Sequence, residues 1–410
     1  MTAPASIERP PRKILGVHPN VFFTGLTSLL TDISSELIFT LVPLFLSDVL
    51  GVTSTVIGLV GGLSDSTDSI FRIASGWFSD KIGKRKSLAV IGYGLSTIAK
   101  PFMLLANSWG AVIGVRLGDR IGKGVRSSSR DALIADSVEE KDRGRSFGLH
   151  RAMDSAGAVI GLIIAAIIVY LIPGDKFHLT RDAFQWMIII GIIPAVIAVI
   201  VLMTLVHERK KTADMVKDGT TRPAAVIPFS SQFILYLVIM ALFTLGNSSD
   251  FFLILDAQHV KTPLLQVVLM LVLFNLTYAI TSTPMGVLSD KIGRKLVITI
   301  GWLIYGLVYL GFALSNNIWQ IWVLFAVYGI YYGICEGAAR AFVADMVPVE
   351  RRGTAYGLYN GVVGLMALPA SLIAGVLWGN IAPAAAFYFG AGLALLAMVG
   401  LMFIIKERKA

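Results

Sequence analysis

The residues best suited to chemistry lie in a short stretch flanked by apolar segments. Read as an α-helix at about 100° per residue, this stretch gathers charged side chains within an arc of about 120°. We call them the charged stripe: Arg116, Asp119, Arg120, Lys123, Arg126 and Arg130. Leu117 and Ile121 lie outside the arc. Guanidinium and ammonium groups on such a face can bind a carboxylate or phosphate through charge-assisted hydrogen bonds.

A pair of carboxylates in the first apolar stretch forms a second candidate group. Asp32 and Glu36 are four residues apart and therefore share a helix face. Burial and mutual repulsion both favour protonation of at least one of them. A carboxyl group that gains and loses a proton is what proton coupling requires. The alternative is a static ion pair with the charged stripe, because Glu36 and Arg120 are predicted at similar depth.

Further polar residues occur in other apolar stretches. Asp65, Asp68 and Arg72 follow helical spacing; the two acids are further proton-coupling candidates, and Asp68 can pair with Arg72. The second half of the chain has fewer charged residues in its apolar stretches than the first half. Its candidates for lining a substrate cavity are Asn247, Asp250, Glu336 and Arg340. Glu336 and Arg340 are four apart and are predicted to form an internal pair. Proton coupling is therefore expected mainly in the first half.

The composition predicts that these groups lie in a membrane. The chain has 410 residues, of which 55% are hydrophobic and 15% are charged, whereas soluble domains carry about 25% charged residues. An amphipathic surface helix with a solvated face is the alternative for the charged stripe, and the composition argues against it. An uncompensated charge at the centre of a membrane helix costs about 2.5–3.5 kcal/mol. The stripe must therefore face partners or a water-filled cavity.

The apolar segments predict an all-α membrane protein with twelve spans, since a span needs about 20 apolar residues. The predicted spans are 20–47, 55–78, 88–106, 109–134, 147–172, 184–206, 229–256, 264–287, 296–314, 318–345, 355–378 and 382–405. A polar, basic segment at residues 207–228 is interpreted as a cytoplasmic linker. It separates a six-helix half at 1–206 from a second at 229–410.

The distribution of charge predicts the orientation of the chain. Lysine and arginine cluster in alternate connections, which is the positive-inside pattern and places both termini in the cytoplasm. The net charge of +9 thus orients the protein in a bacterial inner membrane and does not indicate a nucleic-acid partner. The single cysteine, Cys335, and the scattered histidines give no metal-binding spacing, and no cofactor is expected. His150 is predicted at the cytoplasmic interface.

The two halves repeat one another in sequence. The stretch from Gly76 to Arg85 recurs 210 positions later, from Gly286 to Lys295. A second match, from Ala135-Asp136 to Ala344-Asp345, has an offset of 209. Two long matches at nearly one offset indicate a duplicated six-helix unit.

The repeated loop resembles the signature of the major facilitator superfamily, and the region from Arg116 to Gly124 resembles the fourth-span pattern of that family. The loop residues concerned are Gly76, Asp80, Gly83, Arg85, Gly286, Asp290, Gly293 and Lys295. The resemblance implies two pseudo-symmetric halves that rock about a central site. It also implies that Asp80 helps to latch the cytoplasmic gate. The stretch from Gly157 to Leu162 lacks the proline of the antiporter pattern of the family, so export cannot be inferred from it.

The function predicted from these features is secondary active transport of a small solute. No phosphate-binding loop surrounds Gly122-Lys123, and no nucleophile–base set is evident, so neither a pump nor an enzyme is expected. We expect a monomer in the lipid bilayer that is coupled to protons and exports drug-like or metabolite substrates. The alternative is proton-driven uptake of a small anionic or zwitterionic metabolite, which the arginines of the stripe would suit. Tyr328, Tyr331 and Tyr332 are predicted either to line the substrate path or to serve packing.

Overall fold

Twelve long helices form the described part of the protein. The computed structural model describes residues 13–82, 85–139, 142–208, 229–348 and 351–405. The helices are α1 (Pro19–Phe39), α2 (Ser54–Ile82), α3 (Arg85–Ala99), α4 (Trp109–Ser137), α5 (Arg143–Leu171), α6 (Arg181–Leu205), α7 (Ser231–Gly246), α8 (Leu264–Ile292), α9 (Arg294–Leu314), α10 (Ile318–Met346), α11 (Arg352–Asn380) and α12 (Pro383–Ile404). The predicted fold class, twelve membrane helices in two six-helix halves, is confirmed. The domain boundaries stay a prediction, because residues 209–228 lie outside the described residues.

Within the described ranges, ten helical segments are long and apolar enough to cross a membrane. The helices α2 and α4 are not among these ten. They are the helices on which Asp65 and the charged stripe lie, so their polarity is the reason that they fall short. A polar helix can remain in a membrane bundle when its charged face is turned away from lipid.

Three of the helices are not continuous. Helix α1 is followed by a short turn of helix, Val42–Leu44, and a π-helical turn, Phe45–Val49. Helix α3 continues as a 3₁₀ segment, Lys100–Leu105, and α7 breaks at residues 247–250 before it resumes as Phe251–His259. Interrupted helices occur in transporters where backbone lines a central site.

The linker joins the end of α6, at Leu205, to the start of α7, at Ser231, and these two helix ends lie at the same face of the bundle. We call this end the linker face and the other end the opposite face. At the opposite face, the second segments of α1 and α7 are buried; Leu44 and Phe252 have no exposed surface. The Gln258 amide donates to Asp48 across the halves at 2.8 Å. The opposite face is therefore closed.

The halves meet mainly where α2 packs against α11 and α5 packs against α8. Small residues allow α2 and α11 to approach closely. A Cβ added at Gly58 would lie 2.3 Å from the backbone oxygen of Ser371, and one at Gly375 would lie 2.7 Å from the backbone oxygen of Ser54. The Ser66 hydroxyl also donates to the Gly364 carbonyl at 2.5 Å. The α2–α11 contact is thus too tight for larger side chains.

Candidate functional site: a charged cavity between the halves

A cavity of about 280 Å³ lies between the two halves, midway along the helices. Its charged lining comes from α1, α2, α4 and the α7 break: Asp32, Glu36, Asp65, Arg116, Asp119, Arg120, Lys123, Arg126 and Asp250. Its apolar lining includes Phe39, Phe251, Ile254, Leu271 and Phe274. Pockets for small ligands in proteins have volumes of about 300–1,000 Å³. The space therefore suits a small solute.

Arg116 is among the most enclosed members of the stripe, with 2% of its surface exposed. Its guanidinium carbon lies 4.9 Å from the ring centre of Phe39 and 5.5 Å from that of Phe251. These rings belong to different halves, so a cation–π contact on each side joins both halves to α4. Its Nε and Nη1 atoms are buried without a hydrogen-bond partner.

The other members of the stripe differ in their partners. Arg120 Nε lies 3.9 Å from Asp119 Oδ2, and Asp119 also accepts a hydrogen bond of 2.5 Å from the Ser96 hydroxyl. Lys123 lines the cavity and makes no ion pair within 4.0 Å with any described side chain. Between residues 116 and 126, the face of α4 that was predicted from helical spacing therefore lines a cavity.

Arg126 and Arg130 lead from the cavity toward the linker face. Arg126 stacks 4.7 Å from the Tyr93 ring centre, and its Nη2 is 4.0 Å from Asp32 Oδ1. Arg130 is not among the residues that line the cavity. It donates instead to the Ser28 hydroxyl at 3.2 Å and lies 3.9 Å from Asp154.

The carboxylates of α1 are close to the stripe, but only one of them approaches a cation. Asp32 reaches Arg126 at the 4.0 Å limit of an ion pair. Glu36 accepts a hydrogen bond of 2.5 Å from the Thr40 hydroxyl and makes no ion pair with a described residue. Glu36 and Arg120 line the same cavity, as their similar predicted depth implies. The alternative of a static pair thus has support for Asp32 and none for Glu36.

The α2 stripe divides into two parts. Asp65 lines the cavity. Asp68 and Arg72 are not among the lining residues; they form the predicted pair within the helix, with Arg72 Nη2 2.9 Å from Asp68 Oδ2. Asp68 is thus paired within its own helix, which leaves Asp65 as the α2 carboxylate that faces the cavity.

In the second half, only Asp250 of the four predicted residues lines the cavity. It accepts a hydrogen bond of 2.6 Å from the Tyr328 hydroxyl. Asn247 lies in the α7 break, where its side-chain oxygen accepts a hydrogen bond of 3.2 Å from Tyr305. Tyr331 is buried among aromatic rings, 5.0 Å from the ring centre of Tyr305. None of the three predicted tyrosines of α10 is among the residues that line the cavity, and all three contact other aromatic rings. Tyr328 also positions a cavity carboxylate.

Glu336 and Arg340 form the predicted internal pair, with 3.2 Å between Nη2 and Oε1. A partner that the sequence did not reveal joins them from the other half. Arg151 of α5 donates to Glu336 Oε2 at 2.5 Å, and the Tyr278 hydroxyl contacts both groups. Arg151 and Arg340 are about half exposed. The group therefore forms an ionic contact between the halves on the linker side of the cavity.

Sequence reasoning also missed a buried lysine. Lys100, at the start of the 3₁₀ segment after α3, has no exposed surface. Its ammonium donates to Ser34 at 2.7 Å and to Ser35 at 3.2 Å, directly behind the cavity wall formed by α1. A lone lysine at the end of an apolar stretch usually marks a membrane boundary. Only its contacts distinguish it from such an anchor.

His150, near the start of α5, is buried within the bundle. Its ring is 4% exposed, and Nε2 lies 2.9 Å from the Ser28 hydroxyl. Nδ1 lies 3.5 Å from Asp154. Helix α1 covers the first turns of α5, which hydropathy along the chain does not show. The position of His150 relative to the membrane interface stays a prediction.

The repeated loops are only partly described. Gly83 and the surroundings of Gly76 and Asp80 lie outside the described residues, so the gate role of Asp80 stays a prediction. In the second half, Gly293 has φ +97°, a conformation that favours glycine, and forms the turn between α8 and α9. Gly286 borders open space. Asp290 pairs with the Arg294 side chain at 3.1 Å.

The contacts of the loops correct one sequence equivalence. Arg85 pairs with Asp136 and donates to the Ala132 carbonyl, and Arg294 does the same with Asp345 and the Ala341 carbonyl. Lys295 instead donates to backbone carbonyls at the end of α12. Arg85 therefore corresponds to Arg294 and not to Lys295, because the first loop is one residue longer.

Comparisons with known proteins agree with this architecture. The model of the Major Facilitator Superfamily matches residues 24–262 and 252–410. An uncharacterized MFS-type transporter of Methanocaldococcus jannaschii is 40% identical over 393 residues, which is 94% of each chain. A proton-coupled antiporter flippase of Staphylococcus epidermidis is 24% identical over 70% of this chain and 71% of its own. The inward-open xylose transporter of E. coli has a TM-score of 0.74 at 16% identity, covering 95% of this chain and 96% of that chain.

The family match extends over both halves, and the fold and the repeated loops are those of a membrane transporter family. Together they identify the chain: it belongs to the major facilitator superfamily.

Proposed function

We propose that the protein is a proton-coupled secondary active transporter that moves a small organic solute by alternating access. The cavity lies between two halves that share a tight contact at the opposite face. On the linker side the halves are joined by the partly exposed contact between Arg151 and Glu336. Such a cavity can be exposed to one side at a time when the halves rock about it.

The observation that carries the proposal is a set of three carboxylates on the cavity wall. Glu36, Asp65 and Asp250 each line the cavity and make no ion pair within 4.0 Å with a described residue. Charged groups in a membrane bundle without a partner are costly and mark ion or proton pathways. A proton bound to one of them removes that cost, and its release to the other side couples the proton gradient to transport.

The other candidate carboxylates are less suited to this role. Asp32 and Asp119 each have a guanidinium within 4.0 Å, and Asp68 pairs with Arg72 at 2.9 Å. Each of these carboxylates therefore already has a positive partner inside the bundle, unlike the three that line the cavity without an ion pair. The proposal therefore narrows the coupling site to Glu36, Asp65 and Asp250, which come from both halves.

Export by antiport is the first candidate for direction, and the similarity to a proton-coupled antiporter supports it. In this scheme protons and substrate occupy the cavity in alternate steps. Uptake of an anion together with protons is the second candidate. It is favoured by Arg116 and Lys123, which line the cavity and make no ion pair with a described residue.

The test uses purified protein in proteoliposomes with an imposed pH gradient and a pH-sensitive dye inside. Compounds that raise the Tm of the protein are added, and proton movement is followed. We expect at least one compound to drive proton movement in the wild type and not in Glu36→Gln. Asp182→Asn, at an exposed position in the first turn of α6, is the matched control.

Two measurements on the same vesicles separate coupling from binding. Glu36→Gln is expected to retain binding and exchange of the compound while gradient-driven flux is lost. Undiminished gradient-driven flux in Glu36→Gln, Asp65→Asn and Asp250→Asn would remove these carboxylates from coupling. The direction of transport is assigned with vesicles in which the orientation of the protein is known. Flux of the compound is measured once with the acidic side inside and once with it outside. The cytoplasmic placement of the termini, the inner-membrane location and the monomeric state are part of the proposal.

A further inference from the structure

We infer that the substrate is a small organic anion with an apolar body, and that Arg116 binds its negative group. The inference rests on the proposed function in two respects: the transported solute occupies the cavity between the halves, and Glu36, Asp65 and Asp250 bind protons there. It concerns the chemistry of that solute. The charge balance of the cavity favours an anion when protons and solute occupy the cavity together, as in uptake, and the contacts of Arg116 favour an anion in either direction.

The first reason is the state of the Arg116 side chain. The residue lines the cavity, is 2% exposed, and has two guanidinium nitrogens without a hydrogen-bond partner. Leaving N–H groups of a buried cation unpaired is costly, and an acceptor offsets this cost. The planar guanidinium presents paired donors that match a carboxylate or a phosphate. A ligand with such a group would supply the missing acceptor.

The second reason is the arrangement of the neighbouring cations. Arg120 and Lys123 follow Arg116 by four and seven residues, so the three positive groups extend about 10 Å along one face of α4. Two carboxylates that line the same cavity already accept hydrogen bonds from hydroxyl groups. Asp119 accepts from the Ser96 hydroxyl and Glu36 accepts from the Thr40 hydroxyl.

The third reason is the balance of charge in the cavity. Its lining contains four cations and five carboxylates. When Glu36, Asp65 and Asp250 carry protons, two carboxylates remain opposite four cations. A proton-loaded cavity is therefore positive and attracts an anion, whereas a cation would have to displace the protons and face the stripe.

The apolar wall defines the rest of the ligand. Ile254 of α7 and Leu271 and Phe274 of α8 line the side contributed by the second half. Phe39 and Phe251 flank the Arg116 guanidinium at 4.9 and 5.5 Å. An apolar or aromatic group attached to the anion would bury surface there, which is favourable by about 25 cal/mol per Å². A bare inorganic ion would leave this wall unfilled.

The experiment measures thermal stabilisation of the full-length purified protein by matched compounds. Each aryl or alkyl carboxylate and phosphate monoester is paired with the neutral amide or alcohol and the amine of the same carbon skeleton. We expect anions to raise the Tm, and their neutral and cationic counterparts to have no effect. Arg116→Gln is expected to weaken anion binding at least tenfold, and Arg116→Lys to weaken it less.

Controls keep this result interpretable. Arg352→Gln, at the exposed first residue of α11, makes the same chemical change outside the cavity and is expected to bind anions like the wild type. Lys123→Gln tests the stripe independently if Arg116→Gln is not monodisperse. The inference is overturned if amines or neutral compounds raise the Tm, or if no anion does. It is also overturned if anions stabilise Arg116→Gln and Lys123→Gln as much as they stabilise the wild type.

The failure of the inference can be distinguished from failure of the proposed function. Anion binding that depends on Arg116, without proton movement in proteoliposomes, would overturn the coupling proposal and leave the ligand assignment intact. Proton-coupled flux of a neutral or cationic compound would overturn the ligand assignment and leave the transport proposal intact.

Discussion

The contact between α2 and α11 allows a sharp test of alternating access, because it holds the opposite face closed. A Cβ at Gly58 would lie 2.3 Å from the backbone oxygen of Ser371 and 3.1 Å from the Phe252 ring. Ordinary contacts of a Cβ lie at 3.4–4 Å, and a backbone oxygen cannot rotate away. Gly58→Ala therefore requires α2 and α11 to separate by about 1 Å, and overpacking of this kind costs about 1–3 kcal/mol.

That cost falls only on the conformation in which the opposite face is closed. The equilibrium should therefore shift toward the open opposite face by about 5- to 150-fold. Spin labels at Thr53 and Lys261, both exposed at the opposite face, report the separation of the halves in a Cys335→Ser background. The expected result is a larger population at long distance in Gly58→Ala, together with a lower transport rate.

A matched substitution provides the control. Gly94 lies in α3, and a Cβ added there meets no atom within 4 Å. Gly94→Ala should leave both the distance distribution and the transport rate unchanged. If Gly58→Ala and Gly94→Ala gave the same distribution as the unsubstituted labelled protein, the α2–α11 contact would not control closure, and the reasoning would be refuted.

Three further predictions concern polar groups in and around the cavity. Arg120→Ala should reduce transport severely, measured as gradient-driven flux, because it leaves Asp119 without its nearby guanidinium; wild-type flux would show that the stripe is a solvated face. Glu336→Gln should weaken the contact with Arg151 by about 0–1 kcal/mol, the range for exposed pairs. Distance measurements at the linker face should therefore show a change of less than tenfold in the ratio of open to closed conformations. A larger change would mean that the contact is a principal gate. Lys100→Met should lower the Tm because it removes the two hydrogen bonds from the ammonium group to Ser34 and Ser35 of α1. An unchanged Tm would assign Lys100 no structural role.

The amino-acid sequence alone determined the number and approximate positions of the spans, the duplication and the helix face that carries Arg116, Arg120 and Lys123. All three follow from patterns that are local along the chain. Apolar length defines a span, and a spacing of three or four residues defines a face whatever packs against it. The same local spacing predicted the Asp68–Arg72 and Glu336–Arg340 pairs, which are four residues apart and both present.

Only the tertiary structure decided which of these groups share a cavity. Asp65 faces the cavity and Asp68 does not, although both lie on α2. Arg116 lies between Phe39 of one half and Phe251 of the other, and no sequence spacing relates these rings. Contacts of this kind depend on how helices distant in the chain pack and on which partner satisfies each buried charge. The sequence specifies these choices through the energy of the whole assembly, and no single segment carries them.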